Sequence, residues 1–437
     1  MTAPSRGSLL IVFLVVFVDL LGFGIVLPLL ARYGEHFQAS QIDLAVLMSS
    51  FSAMQFLFAP LWGRLSDRIG RRPVLMIGLL GSVIFYALFG FISGQPATAR
   101  IAGLLPLTWL VLARIGAGIA GATIPTAQAY IADVTDAKNR GKGMALIGAA
   151  FGLGFTFGPL LAAGFAATDP GAPPSPAAGY IAAGLSLAAL IGAIFLLPES
   201  LQPGRQAPHR DWLQLSTLAR ALRSPVHLSI VLAIFLATFA FAQFETTLGL
   251  LTERLGMAEQ QNFYVFAYLG FMLMLFQGGV VRRLMPVVRE RRMAIAGTGL
   301  LTLGFALVAL TSRAAGGDGS AGVTGLSPLW ELFAVLWVAV AGFSAVNPAL
   351  QSLLSLNTSD REQGEILGFG QSVSALARIV GPATGILLFK QVSIAAPYWC
   401  AAGSMIVASA VIARLANPAP HSGAAGQPGE SPAESVE

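Results

Sequence analysis

The stretch Ile42–Ser93, IDLAVLMSSFSAMQFLFAPLWGRLSDRIGRRPVLMIGLLGSVIFYALFGFIS, holds two long apolar runs joined by a short basic loop. Each run has about the 20 residues that an α-helix needs to cross the hydrocarbon core of a bilayer. The first carries a single charge, Asp43, and the second carries none. Apolar residues follow one another without the alternation of a barrel strand, and lipid tolerates only helices or closed barrels, so both runs read as helices.

The same pattern fills the chain. Flanking runs are Ser8–Leu30, Leu104–Ile131, Gly141–Phe165 and Tyr180–Leu197, then Leu228–Thr252, Phe263–Val281, Met293–Ser312, Leu329–Leu356, Ile366–Phe389 and Ala395–Leu415. With Ile42–Trp62 and Pro73–Ser93 they give twelve expected transmembrane helices and an all-α membrane fold. Composition agrees: 55% of the 437 residues are apolar and 11% charged, against roughly a quarter charged in soluble domains.

Orientation follows from Lys and Arg, which accumulate in cytoplasmic loops. With the N-terminus inside, nineteen fall in inner segments and five in outer ones, so both termini are expected in the cytoplasm. This bias accounts for the net charge of +5, and nucleic acid is not an expected partner. The single cysteine, Cys400, and the scattered His36, His209, His227 and His421 offer no ligand spacing, so no metal or other cofactor is expected. Gly141-Lys142 lacks the surroundings of a phosphate-binding loop, which leaves an ion or solute gradient as the energy source.

A polar, Pro-rich segment near the middle of the chain separates six runs from six. The reading gives an N-terminal bundle over 1–197, a cytoplasmic linker over 198–227 and a C-terminal bundle over 228–415. A disordered cytoplasmic tail is expected over 416–437. Within the linker, Trp212, Leu215, Leu218 and Leu222 at helical spacing predict a short helix on the inner leaflet. An offset of 223 pairs Pro125 with Pro348, Gln128 with Gln351, Thr135 with Thr358, Gly141 with Gly364, and Gly158-Pro159 with Gly381-Pro382. The halves are therefore parallel repeats, an arrangement that puts a substrate site between them near the midplane.

The loop GRLSDRIGRRPVLM, Gly63–Met76, sets Asp67 among arginines, where a carboxylate can meet the N–H groups of a helix start. It resembles the signature loop of the major facilitator superfamily at Gly63, Asp67, Arg68, Gly70, Arg71 and Arg72. The resemblance implies a cytoplasmic gate, with Asp67 held against the start of the eleventh helix and Arg71 paired with Asp133 at the end of the fourth.

Two further stretches resemble drug/proton antiporters of that superfamily. LVLARIGAGIAGA, Leu110–Ala122, places Arg114 about ten residues into the fourth run, ~15 Å deep. GLGFTFGPLLAAG, Gly152–Gly164, is similar to the antiporter motif at Gly154, Gly158 and Pro159, with Ala162 and Ala163 in place of two glycines. VFVDLLGFGIVLPLL and GATIPTAQAYIADVTD are similar to tetracycline-type exporters. Yet Phe85 stands where those exporters carry a third-helix acid, and the ninth run has no carboxylate.

Ionisable residues inside spans are costly and read as functional. Asp19 and Glu245 are the candidates for proton coupling. Arg114, Arg378 and Gln128 are candidates for substrate or counter-ion contact. Expected overall is a monomeric secondary transporter, not an enzyme, in a bacterial inner (plasma) membrane, whose partners are a small-molecule substrate, protons and the bilayer. Proton-coupled export of small amphipathic compounds leads, of the multidrug or tetracycline-resistance kind. Uptake or facilitated diffusion of an organic anion is the alternative.

Overall fold

The computed structural model describes residues 6–135, 140–168, 174–201, 224–285, 287–314, 328–358 and 363–415. The expected linker helix and the tail from 416 lie outside the described residues.

Among the described residues the first half forms α1 (Arg6–Val26), α2 (Leu30–His36), α3 (Gln41–Ile69), α4 (Arg71–Ser93), α5 (Pro106–Ala120), α6 (Ile124–Val134), α7 (Arg140–Ala163) and α8 (Ala177–Leu196). The second forms α9 (Pro225–Arg254), α10 (Glu259–Leu275), α11 (Glu290–Ala314), α12 (Pro328–Leu356), α13 (Gln363–Gln391) and α14 (Ala396–Ala413). Eleven spans are long and apolar enough to cross a membrane, and Ala149–Ala163 within α7 supplies a shorter apolar segment where the fifth run was expected.

Successive spans run in opposite directions. One end of the bundle therefore carries the Gly63–Met76 loop, here called the gate end, and the other carries α2 and the start of α10. Packing repeats between halves. In the first, α1 lies on α7 and α8, α4 on α5 and α8, and α3 on α5. In the second, α9 lies on α13 and α14, α11 on α12 and α14, and α10 on α12. The two seams between halves, α7 with α10 and α3 with α13, exchange under the same correspondence. The fourth and fifth spans (α5–α6 and α7) and the tenth and eleventh (α12 and α13), paired by the offset in sequence, are thus paired by their neighbours as well.

Close crossings at the Gly-Pro motifs hold each half together. A Cβ on Gly24 of α1 would fall 2.7 Å from the Gly154 carbonyl oxygen of α7, and one on Gly158 would fall 2.9 Å from that of Leu21. In the second half the Gly381 position approaches the Phe239 carbonyl of α9 at 2.9 Å. Where lipid gives no hydrophobic drive for helices to associate, such backbone proximity supplies the attraction.

The fourth run departs from the sequence reading of one continuous helix. It breaks at Gly121–Thr123, and α6 restarts with Pro125 in its first turn. Trp62 Nε1 donates to the Ile119 carbonyl at 2.6 Å and Gln55 Nε2 to that of Gly121 at 3.1 Å, so α3 satisfies oxygens that the break releases.

Gly24→Val forces α1 and α7 apart and is expected to cost about 1–3 kcal/mol, the usual range for overpacking. Gly184→Ala, which meets nothing within 4 Å, is expected to be neutral. Thermal unfolding in detergent distinguishes them, and equal midpoints for the two variants would contradict the assigned crossing.

Candidate functional site

At the gate end Arg71 is the hub. Its guanidinium pairs with Asp67 one turn back, donates from Nε to Asp133 Oδ2 at 3.2 Å, and donates to Ser66 Oγ at 2.8 Å. The Arg71–Asp133 pair expected from sequence is present. Asp67 is seen on Arg71, and the segment just before α13, near its expected partner, lies outside the described residues. Arg72 donates to the Ile194 carbonyl of α8 at 2.6 Å, while Arg68 is exposed. Nothing lies within 4 Å of a Cβ at Gly63, so that glycine is not required by crowding here.

Glu199 was not singled out in the sequence. Its Oε1 accepts the Arg71 N–H at 2.9 Å and its Oε2 the Arg72 N–H at 3.1 Å, which caps the start of α4 with a negative charge. Gly70 makes this possible, because its φ of +107° suits glycine and a Cβ there would meet Glu199 Oε2 at 2.4 Å. Ser200 Oγ donates to Asp133 Oδ2 at 3.2 Å, which ties the end of α8 to the same carboxylate. The available signal was an acid just after an apolar run, but its partner is a backbone 127 residues away in sequence.

Deeper in the first half, Asp19 accepts from Ser82 Oγ of α4 at 3.0 Å and lines a small cavity with Val15, Val16, Leu79, Thr123 and Ile124. No ion pair reaches it among the described residues. Arg114 is 1% exposed, and its guanidinium lies over Phe51 at 4.6 Å and Phe23 at 5.8 Å. Its Nε and Nη1 have no hydrogen-bond partner. In the second half Glu245 Oε1 is likewise buried without a partner, and Arg378 of α13 is the charge that acts on its carboxylate. Gln128 is exposed on α6 and joins neither group. Gly154 and Gly158 face α1, whereas Phe155 and Thr156 on the same helix face Gly270 of α10 across the seam.

Hydrogen bonds between halves run from mid-bundle to the far end. Ser49 Oγ donates to the Ile379 carbonyl at 2.9 Å and Asn262 Nδ2 to that of Pro28 at 2.8 Å. Arg32 donates to the Met257 carbonyl, and Glu259 accepts from the N–H of Ala167 at 3.0 Å and of Ser175 at 3.2 Å. Lys390 pairs with Glu35 at 2.6 Å. Among the described residues no such bond crosses at the gate end.

Two repeated helical halves, hydrogen-bonded to each other among the described residues from mid-bundle to one end and enclosing ionisable groups, are the architecture of a multi-pass membrane transporter. The model of the Major Facilitator Superfamily matches residues 12–323. Tetracycline resistance protein, class C, of Escherichia coli is 31% identical over 385 residues, covering 86% of this chain and 88% of its own. Multidrug resistance protein 2 of Bacillus subtilis (strain 168) is 26% identical over 400 residues, with 90% and 91% covered. Among solved structures, the human organic anion transporter MFSD10 (TETRAN) superposes with a TM-score of 0.66 at 26% identity, covering 94% of this chain and all of that one. A D-xylose-proton symporter shares the fold, with a TM-score of 0.71 at 16% identity and 94% and 98% covered. The chain belongs to the major facilitator superfamily and is of its tetracycline-resistance type; it is a transporter and not an enzyme.

Glu199→Ala removes the acceptor at the start of α4 and is expected to cost about 1 kcal/mol, as loss of a helix cap does. Gly70→Ala adds a clash and a disfavoured backbone, and is expected to cost more. Thermal unfolding midpoints give the order, and a Gly70→Ala protein as stable as wild type would contradict the geometry.

Proposed function

We propose that this transporter exports small amphipathic organic compounds in exchange for protons, by alternating access between its halves. The observation that carries this is the setting of Asp19, a carboxylate within a membrane-spanning helix whose one hydrogen-bond partner is a neutral hydroxyl. A buried charge without a counter-charge is costly, and a carboxylate escapes that cost by taking a proton. Asp19 is therefore suited to carry a proton through the buried state and release it when the gate end admits water. Glu245 takes the corresponding part in the second half, with Arg378 as its counter-charge. The gate cluster of Arg71, Asp67 and Asp133 keeps α3, α4 and α6 moving as one piece, and Gly154, Gly158 and Pro159 keep α7 fixed to α1.

The rest of the proposal follows the sequence. The bundles are 1–197 and 228–415, joined by 198–227 and followed by a tail over 416–437. The protein sits as a monomer in a bacterial inner membrane with both termini cytoplasmic, the orientation that Lys and Arg favour. The gate end is then cytoplasmic, and the bonded far end faces outward. Multidrug and tetracycline resistance relatives support export.

Organic-anion transport is the second reading. It is favoured by the two unpartnered nitrogens of Arg114 and by the human organic anion transporter among the similar structures. Buried N–H donors on a cation call for an acceptor that a carboxylate or sulfonate on the substrate would supply.

Purified protein in liposomes, given pH gradients of either sign and a panel of lipophilic cations, anions and tetracycline, separates the readings. Under the proposal, at least one compound accumulates in one gradient and not in the other. Asp19→Asn should abolish that accumulation while leaving substrate binding within a few-fold of wild type. Equal uptake of every compound under both gradients, or full gradient-driven transport by Asp19→Asn, would overturn it.

A further inference from the structure

Asp19 is held from two sides. Ser82 lies on the α4 face turned toward α1, is 1% exposed, and donates its hydroxyl to Oδ1. Opposite stands the break between α5 and α6. A Cβ on Gly121 would lie 3.3 Å from Asp19 Oδ2 and 3.3 Å from Phe51 Cζ, so the bare glycine leaves the space that the second carboxylate oxygen approaches. Just beyond, Thr123 and Ile124 at the start of α6 line the cavity that Asp19 shares. Thr123 provides no side-chain cap to that helix. Gln55 and Trp62 of α3 fix the break itself by bonding the Gly121 and Ile119 carbonyls.

The titratable and charged groups around the carboxylate are few. Tyr86 of α4 is the titratable neighbour of Asp19 and Arg114, and its ring edge occupies the space beside Gly22. Arg114 of α5 makes no ion pair with Asp19. Among the described residues no ion pair reaches Asp19, and the cavity it lines holds no second charged side chain. With no counter-ion at hand, the balance between the ionised and neutral acid rests on neutral dipoles.

We propose that Ser82 is a positioning residue that sets the proton affinity of Asp19, with the Gly121–Thr123 break as the second wall of the same pocket. This rests on Asp19 being the proton carrier. A hydroxyl donating to a carboxylate favours the ionised form, whereas the protonated acid loses that acceptor strength at the bonded oxygen. Removing the hydroxyl therefore makes Asp19 hold its proton to higher pH. Hydrogen bonds to charged groups are among the stronger ones, and a tenfold change in affinity moves a titration by about one pH unit.

The test is an infrared titration of the protonated carboxyl stretch on the full chain in lipid, with Asp19→Asn identifying the Asp19 component. Expected for Ser82→Ala is a midpoint about one pH unit more alkaline than wild type, with the alkaline limb of gradient-driven transport moved the same way. Ser82→Thr, which keeps the hydroxyl, should titrate within a few tenths of a pH unit of wild type. Should Ser82→Ala fail to fold, Ser82→Cys, similar in size with a weak donor, is titrated in its place with the same direction expected. Coincident midpoints for wild type and the variant lacking the hydroxyl would overturn the role of Ser82 while leaving Asp19 as carrier. A titrating band that survives unchanged in Asp19→Asn would instead remove Asp19, and this inference with it.

Discussion

Every polar group held in lipid has to find its partner inside the protein, because an unsatisfied one costs several kcal/mol there. That constraint explains most of the local structure. The fourth span breaks, and Gln55 and Trp62 of α3 take up the carbonyls at the break. Helix α4 begins at the gate end, and Glu199 meets its first N–H groups. Thr156, Thr247, Thr302 and Thr384 bond carbonyls one turn back in their own helices. Against so consistent a background the exceptions stand out. Among the described residues Arg114, Glu245, Gln243 and Ser186 keep buried polar atoms without partners, as do the Nε atoms of Arg32 and Arg72, and all lie in membrane spans.

The same constraint shapes the relation between halves. Helices meet at glycines where backbones touch within each half, and again on the α7–α10 seam, where a Cβ on Gly270 would fall 2.5 Å from the Phe155 carbonyl. Between halves, contact is concentrated on two seams, and the hydrogen bonds there lie from mid-bundle to the far end. On the gate side, Arg71, Asp67, Asp133, Ser200 and Glu199 bond one another within the first half. Among the described residues, a bonded far end and a gate cluster organised within one half are what the proposed rocking of one bundle on the other would use.

Much of this was legible in the sequence, for identifiable reasons. Spans register as apolar length, and eleven of the twelve expected runs reappear as long helices, with the fifth shorter. The repeat was visible because Gly158-Pro159 and Gly381-Pro382 serve the same crossing in each half. Arg71 and Asp133 could be paired because the motif names both. Hidden features depend on which faces meet. Nothing in GATIPTAQ states that the helix breaks before Ile124, since Gly and Pro are tolerated within spans. Ser82 is an ordinary small residue until α4 is laid against α1. Glu199 reads as the opening of a loop until Gly70 brings the start of α4 beside it.

The central claim is that the two halves exchange closure between their ends in response to protons. Spin labels at exposed Gln38 and Val392 report the far end, and labels at exposed Ile69 and Val287 report the gate end. The single cysteine, Cys400, is first replaced by serine. Measured by double electron–electron resonance in lipid while pH is lowered from 8 to 5 (about 10³-fold in proton activity), the two distance distributions should move in opposite directions, one lengthening as the other shortens. Distributions at both ends that stay fixed, or that lengthen together, would contradict the account.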